Sequence, residues 1–133
     1  MRIVLKNGSF TSRFLREFSE LTNYAKVFPR DLNFNINTKT LTLPLIRFPI
    51  CKESIFGHKH DNSKPIKSIL TIREIQQFKS EIKPGCTDSE VTLMFGVTLK
   101  GNKMICSSAE EPPFFAFEGK LNEIDIALND IEI

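Results

Sequence analysis

The chain has only two histidines, in the run Gly57-His58-Lys59-His60-Asp61, where Asp61 or Cys51 could be drawn in to complete a metal site. The spacing is poor for that chemistry. An H-x-H pair offers two donors with no third ligand at a recognised spacing, and the Lys59 ammonium between the rings opposes a cation. A Ser/His/Asp or Cys/His nucleophilic site would have to use the same loop, and no G-x-S-x-G turn is present. The glycines are scattered singly, so the chain has neither a G-x-G-x-x-G nor a P-loop cradle for phosphate. Glu110-Glu111 with Glu118 could be read as paired carboxylates for acid/base work, which needs two carboxyls held close across a cleft. A solvated turn before Pro112-Pro113 accounts for them more simply. On these residues the chain reads as a non-enzyme with no metal or cofactor.

Charge placement carries more information. The net charge of +2 is small, but residues 1–66 hold 11 Lys/Arg against 5 Asp/Glu, and residues 67–133 hold 7 against 11. Beyond Ser108 the acids are Glu110, Glu111, Glu118, Glu123, Asp125, Asp130 and Glu132, and the only base is Lys120. If Glu123 and Asp125 alternate with Ile124, Ile126 and Leu128 on a strand, one face is buried and the other displays carboxylates. Such a face suits a basic protein partner, because complementary charge speeds encounter and sets specificity. The basic first half is the alternative contact, with nucleic acid. Its Lys/Arg are spread without aromatic interleaving, which ranks that reading lower.

Those side chains must be positioned by elements, and hydrophobic periodicity locates them. Arg2 to Lys6 is a β-prone run closed by Asn7-Gly8. Phe14, Phe18, Leu21, Ala25 and Phe28 recur every three or four residues and predict an amphipathic helix, with Thr11 or Ser12 as N-cap and Pro29 as the stop. Phe34 and Ile36, then Leu41, Leu43 and Leu45, predict a hairpin turning near Asn37 to Lys39, whose second strand lies at an edge or breaks at Pro44. Cys51 to Pro65 reads as a long surface loop. Ser68 to Ile72 reads as a strand, and Ile75, Phe78 and Ile82 as a short helix ending before Pro84-Gly85; one helix through the whole segment is the alternative. Val91, Leu93, Phe95, Val97 and Leu99 alternate strictly and, with Gly101-Asn102, Met104 and Cys106, predict a central hairpin. Phe115 and Phe117, then Ile124, Ile126 and Leu128, predict two further strands.

The fold expected is α+β: a single antiparallel sheet of about five to seven strands with the N-terminal amphipathic helix packed on it, as one domain over residues 1–133. The N-terminus lacks the apolar stretch of a signal peptide, and no apolar run reaches membrane-spanning length. Three widely spaced cysteines, Cys51, Cys86 and Cys106, argue against a disulfide framework. A cytoplasmic protein is the expectation.

The segment Phe95-Gly96-Val97-Thr98-Leu99-Lys100-Gly101-Asn102-Lys103, followed by Ser107-Ser108-Ala109-Glu110-Glu111 and, near the end, Ile124-Asp125-Ile126, resembles the strand-turn-strand and acidic C-terminus of some small bacterial immunity proteins. Those proteins neutralise toxin domains of contact-dependent inhibition and related polymorphic toxin systems. The resemblance implies a non-enzymatic protein that binds one cognate toxin domain tightly. Where the toxin is a nuclease, it implies acidic residues covering the active site. The seven acids from Glu110 to Glu132 are then the expected contacts, and the +2 balance requires this end of the chain alone to supply the acidic face.

Overall fold

The computed structural model describes residues 2–7, 22, 24–48, 50–51, 59–60, 65–98, 103–110, 112–121 and 124–131. Within them strand is the dominant element, with one 3-10 turn at Pro29–Asp31: β1 (Arg2–Asn7), β2 (Lys26–Val27), β3 (Asn33–Asn35), β4 (Thr40–Arg47), β5 (Ile50–Cys51), β6 (Lys59–His60), β7 (Ile66–Ile72), β8 (Ile75–Ile82), β9 (Val91–Thr98), β10 (Lys103–Ser108), β11 (Phe115–Leu121) and β12 (Ile124–Asp130). Ten of these join one antiparallel sheet in the order β1-β12-β7-β4-β2-β9-β10-β11-β8, with β3 paired beside β2 on the flank of β4. β5 and β6 form a separate two-stranded ribbon.

The expected α+β architecture is therefore corrected, among the described residues, to a mostly β one built on one ten-stranded antiparallel sheet. Residues 11–21 of the predicted N-terminal helix lie outside the described residues, but its last turn is not helical: Lys26–Val27 is a strand and Phe28 is extended. Ala25, Val27 and Pro29 are buried while Lys26 and Phe28 are half-exposed, a period of two where the spacing of Ala25 and Phe28 had suggested three and a half. The second predicted helix is β8. In its register with β11, Lys79 lies opposite Glu118 and Gln76 opposite Lys120, so Gln77 and Phe78 together face Gly119 in a bulge. Gln77 takes the left-handed backbone conformation there, at φ 53°. One extra residue between Ile75 and Phe78 turns the inward spacing from two to three, and two pleats later Ile82 follows at four. A bulged strand thus reproduces the spacing of a helix.

Other expectations hold with changes of detail. The β3–β4 hairpin turns where predicted: Asn35 Oδ1 accepts hydrogen bonds from the Asn37 and Thr38 amides at 2.9 and 3.2 Å, and Lys39 closes the turn at φ 54°. β4 is neither an edge nor broken. It pairs with β7 along seven residues on one side, and Pro44 falls opposite the gap between β2 and β3 on the other, where no strand needs its missing donor. The turn of the β9–β10 hairpin, Gly101-Asn102, lies outside the described residues, while the paired strands place Thr98 opposite Lys103. The predicted surface loop from Cys51 carries the β5–β6 ribbon; residues 52–58 and 61–64 lie outside the described residues.

The sheet folds over a single core. β9 is the joint: Val91 and Thr92 pair with β2, whereas residues from Leu93 onward pair with β10. Leu41, Leu43, Leu70, Ile72 and Leu128 from one half meet Leu93, Met104, Cys106, Phe115 and Phe117 from the other, all almost fully buried. The end strand β8 returns to the β3–β4 turn, where the Ile75 amide donates to the Lys39 carbonyl at 3.0 Å and the Phe34 and Phe78 rings stack at 4.2 Å. Among the described residues, no helix is long and apolar enough to cross a membrane.

Candidate functional site

Period two decides where each acidic side chain goes, and it separates them. On β12, Ile126, Leu128 and Asp130 share one face, and Asp125 lies on the other. Asp130 ends the inward row and meets Ser68 on the adjacent strand β7 and Arg47 on β4, the strand beyond it. Arg47 Nη2 lies 2.9 Å from Asp130 Oδ2 and 3.0 Å from Oδ1, and the Ser68 hydroxyl donates to Oδ1 at 2.7 Å. Burial alone would raise the Asp130 carboxyl, but the Ser68 and Arg47 hydrogen bonds and the guanidinium charge together hold it below its ordinary value. This carboxylate closes one end of the core and is unavailable to a partner.

Asp125 faces outward and pairs with Arg73 at 3.4 Å, across the end of β7. Glu118 lies five intervening strands away, on the outward row of β11 with Ala116 and Lys120. Lys103 Nζ reaches it at 2.8 Å, and that contact draws the Glu118 carboxyl below its usual range, with desolvation opposing and the Lys103 and Lys79 charges assisting. Glu111, Glu123 and Glu132 lie outside the described residues. The described members of the seven therefore form no single carboxylate face; of them, Glu110 and Glu118 stand beside a common surface.

That surface is the outer side of the β9-β10-β11-β8 half. Its rows run Met94 on β9, Ile105 and Ser107 on β10, Ala116 and Glu118 on β11, and Lys79 and Glu81 on β8, adjacent through the registers Met94 to Ser107 to Ala116 to Glu81. Two depressions open on it. One of about 600 Å³ lies over Ile105, Ala116 and Glu118 and is rimmed by Lys79 and Glu81. The other, about 530 Å³, lies between Met94, Ser107, Ala109, Glu110 and the Pro112-Pro113 pair. Together they give an apolar floor with charged walls.

The loop carrying Glu110 is pinned at both ends. The Ala109 amide donates to the Thr92 carbonyl at 3.0 Å, and the buried Ser108 hydroxyl accepts from the Phe114 and Phe115 amides at 2.9 and 3.2 Å. Held this way, Glu110 Oε2 is buried with no hydrogen-bond partner among the described residues. A desolvated carboxylate oxygen without a donor is costly, and a donor supplied from outside would relieve that cost.

Met94 and Ile105 had no place in the sequence reading, though a signal existed. Each is an apolar residue on the outward parity of a strand whose inward parity is already apolar, and two such residues side by side mark a covered or contacting face. The basic first half shows less. Arg47 is engaged by Asp130, Arg30 lies beside Asp31 and Asp88, and Lys26 donates to Thr92 Oγ1 at 2.6 Å. His58 lies outside the described residues, and His60 is in β6; no group of three metal-ligating side chains occurs among the described residues. In comparisons with known proteins, no family model, no curated protein and no solved structure matches this chain, so the reading of the site rests on its own geometry.

Proposed function

We propose that this chain is a non-enzymatic protein-binding module whose docking face is the outer side of β9-β10-β11-β8, with a basic side chain of the partner entering the depression beside Glu110. One observation carries this reading: a carboxylate oxygen held by a pinned loop, buried, and without a donor among the described residues. Lysine or arginine is the complementary group, since a charge-assisted hydrogen bond to carboxylate is stronger than a neutral one. Met94 and Ile105 supply apolar contact nearby, and Glu118 adds a second acceptor. Taken with the resemblance to small immunity proteins, the partner is a cognate bacterial toxin domain, neutralised in the cytoplasm by covering its active site.

The test is binding of whatever protein the neighbouring open reading frame encodes, measured by calorimetry and, where that protein is toxic, by growth protection on co-expression. Glu110→Ala is expected to weaken binding by about thirtyfold or more, the lower end of the cost of truncating one partner of a desolvated charge pair. Glu110→Lys is expected to abolish protection. Unchanged affinity in both variants would remove this depression from the mechanism, and no binding by the parent protein would remove the toxin reading.

A further inference from the structure

Among the described residues β8 ends the sheet, paired with β11 on one side only. Lys39 touches its other side at Ile75 and Gln76, and beyond that point Gln77, Lys79, Ser80 and Glu81 are all exposed. The direction of the exposed backbone groups follows from one hydrogen bond. The Lys83 amide donates to the Phe114 carbonyl at 2.8 Å, so by antiparallel alternation Glu81 and Lys79 also address β11, while Ile82, Ser80 and Phe78 present their amides and carbonyls to the unpaired edge. Such an edge is a template for another strand.

We propose that a second copy of this chain pairs with it, β8 against β8, antiparallel about a two-fold axis at Ser80. In that register Ser80 faces Ser80 of the second copy, Phe78 faces Ile82, and Lys79 faces Glu81. The outward-directed residues 78, 80 and 82 fall in hydrogen-bonded pairs, as the backbone requires. Lys79 and Glu81 fall in the non-hydrogen-bonded pairs, where opposite side chains approach most closely. Both faces of the joined sheet are matched: Phe78 and Ile82, half-buried against the core rim, cover one another on the inner side, and two opposite-charge pairs form on the outer side. Ser80 at the axis is small enough for close approach.

The neighbouring registers are disfavoured by the same residues. An axis at Lys79 sets lysine against lysine, and an axis at Glu81 sets glutamate against glutamate; like charges directly opposite are destabilising. Isolated charges on an edge strand deter association, but two of opposite sign, spaced by two residues, favour the register centred between them over those centred on either charge. This pairing uses the edge of β8 and does not depend on what binds beside Glu110.

Sedimentation equilibrium of the full chain over a concentration series tests it. The parent is expected to show a monomer–dimer equilibrium from a 15.2 kDa protomer. Lys79→Glu and Glu81→Lys are each expected to weaken the dimer by about tenfold, because two attractive pairs become repulsive. The double exchange, Lys79→Glu with Glu81→Lys, restores opposite charges and is expected to recover the parent affinity. Ser80→Pro, whose lost donor faces the unpaired edge, is expected to abolish the dimer. A parent that stays monomeric throughout, or a dimer indifferent to the single reversals, or a double exchange that fails to recover, would overturn the proposal. Circular dichroism of each variant separates lost pairing from lost folding.

Discussion

Arg47 and Asp130 stand 83 residues apart in the chain, yet the guanidinium reaches both carboxylate oxygens, with Ser68 completing the contact. Each is the last inward residue of its strand, so the group caps one end of the core. Their side chains are only 7% and 12% exposed, which makes the pair sensitive to the loss of one member.

Asp130→Ala is expected to destabilise the fold by about 3 kcal/mol, because it strands a buried guanidinium. Replacing both members with apolar residues, Arg47→Met with Asp130→Leu, is expected to return stability to within about 1 kcal/mol of the parent. Urea unfolding of the two singles and the double would measure the coupling. Additive costs would show that the pair does not act as a unit.

The same carboxyl makes stability depend on pH. Its folded value lies below its unfolded one, near 3.9, so its contribution is complete above the unfolded value and is lost as pH falls through the folded one. The difference in urea midpoint between the parent and Asp130→Asn is expected to be constant above about pH 5 and to shrink below about pH 4. A difference that grew on acidification would contradict this assignment.

Gly119 sits opposite the β8 bulge, where a β-carbon would press into Cγ2 of Ile75. Gly119→Ala is expected to cost about 1 to 3 kcal/mol by overpacking. In an Ile75→Ala background that Cγ2 is gone, and the cost of Gly119→Ala should largely vanish, although Ile75→Ala itself opens a cavity. Thermal unfolding of the four proteins reads both effects.

Cys106 is fully buried, and burial pushes its thiol well above its ordinary value, whereas Cys86 is half-exposed. Alkylation of the native protein by iodoacetamide is expected to label Cys86 within minutes and to leave Cys106 unmodified until the protein is unfolded, because the thiolate is the nucleophile. Mass spectrometry of the digested protein would show the order. Early labelling at Cys106 would place that strand outside the stable core.

Strands with plain alternation were readable from the residues alone. Leu41, Leu43 and Leu45, then Val91 and Leu93, then Met104 and Cys106, are buried as their spacing predicts. The errors have local causes. Ala25 and Phe28 belong to a short strand entry and not to a helix end, and Ile75, Phe78 and Ile82 mimic a helix because a bulge inserts Gln77 between inward positions. Propensity and spacing cannot separate a bulged strand from a short helix when the partner strand is unknown.

The acidic end shows the same division. That Asp125 and Asp130 fall on opposite faces of one strand follows from their odd spacing and needs no coordinates. That Asp130 meets Arg47 while Glu118 and Glu110 border one surface depends on the strand order, which sets β12, β7 and β4 side by side and likewise β9, β10 and β11. Spacing along a chain determines which way a side chain points, because the pleat is local. Which side chains become neighbours depends on pairing between distant strands, because those contacts close only when the whole sheet folds over its core.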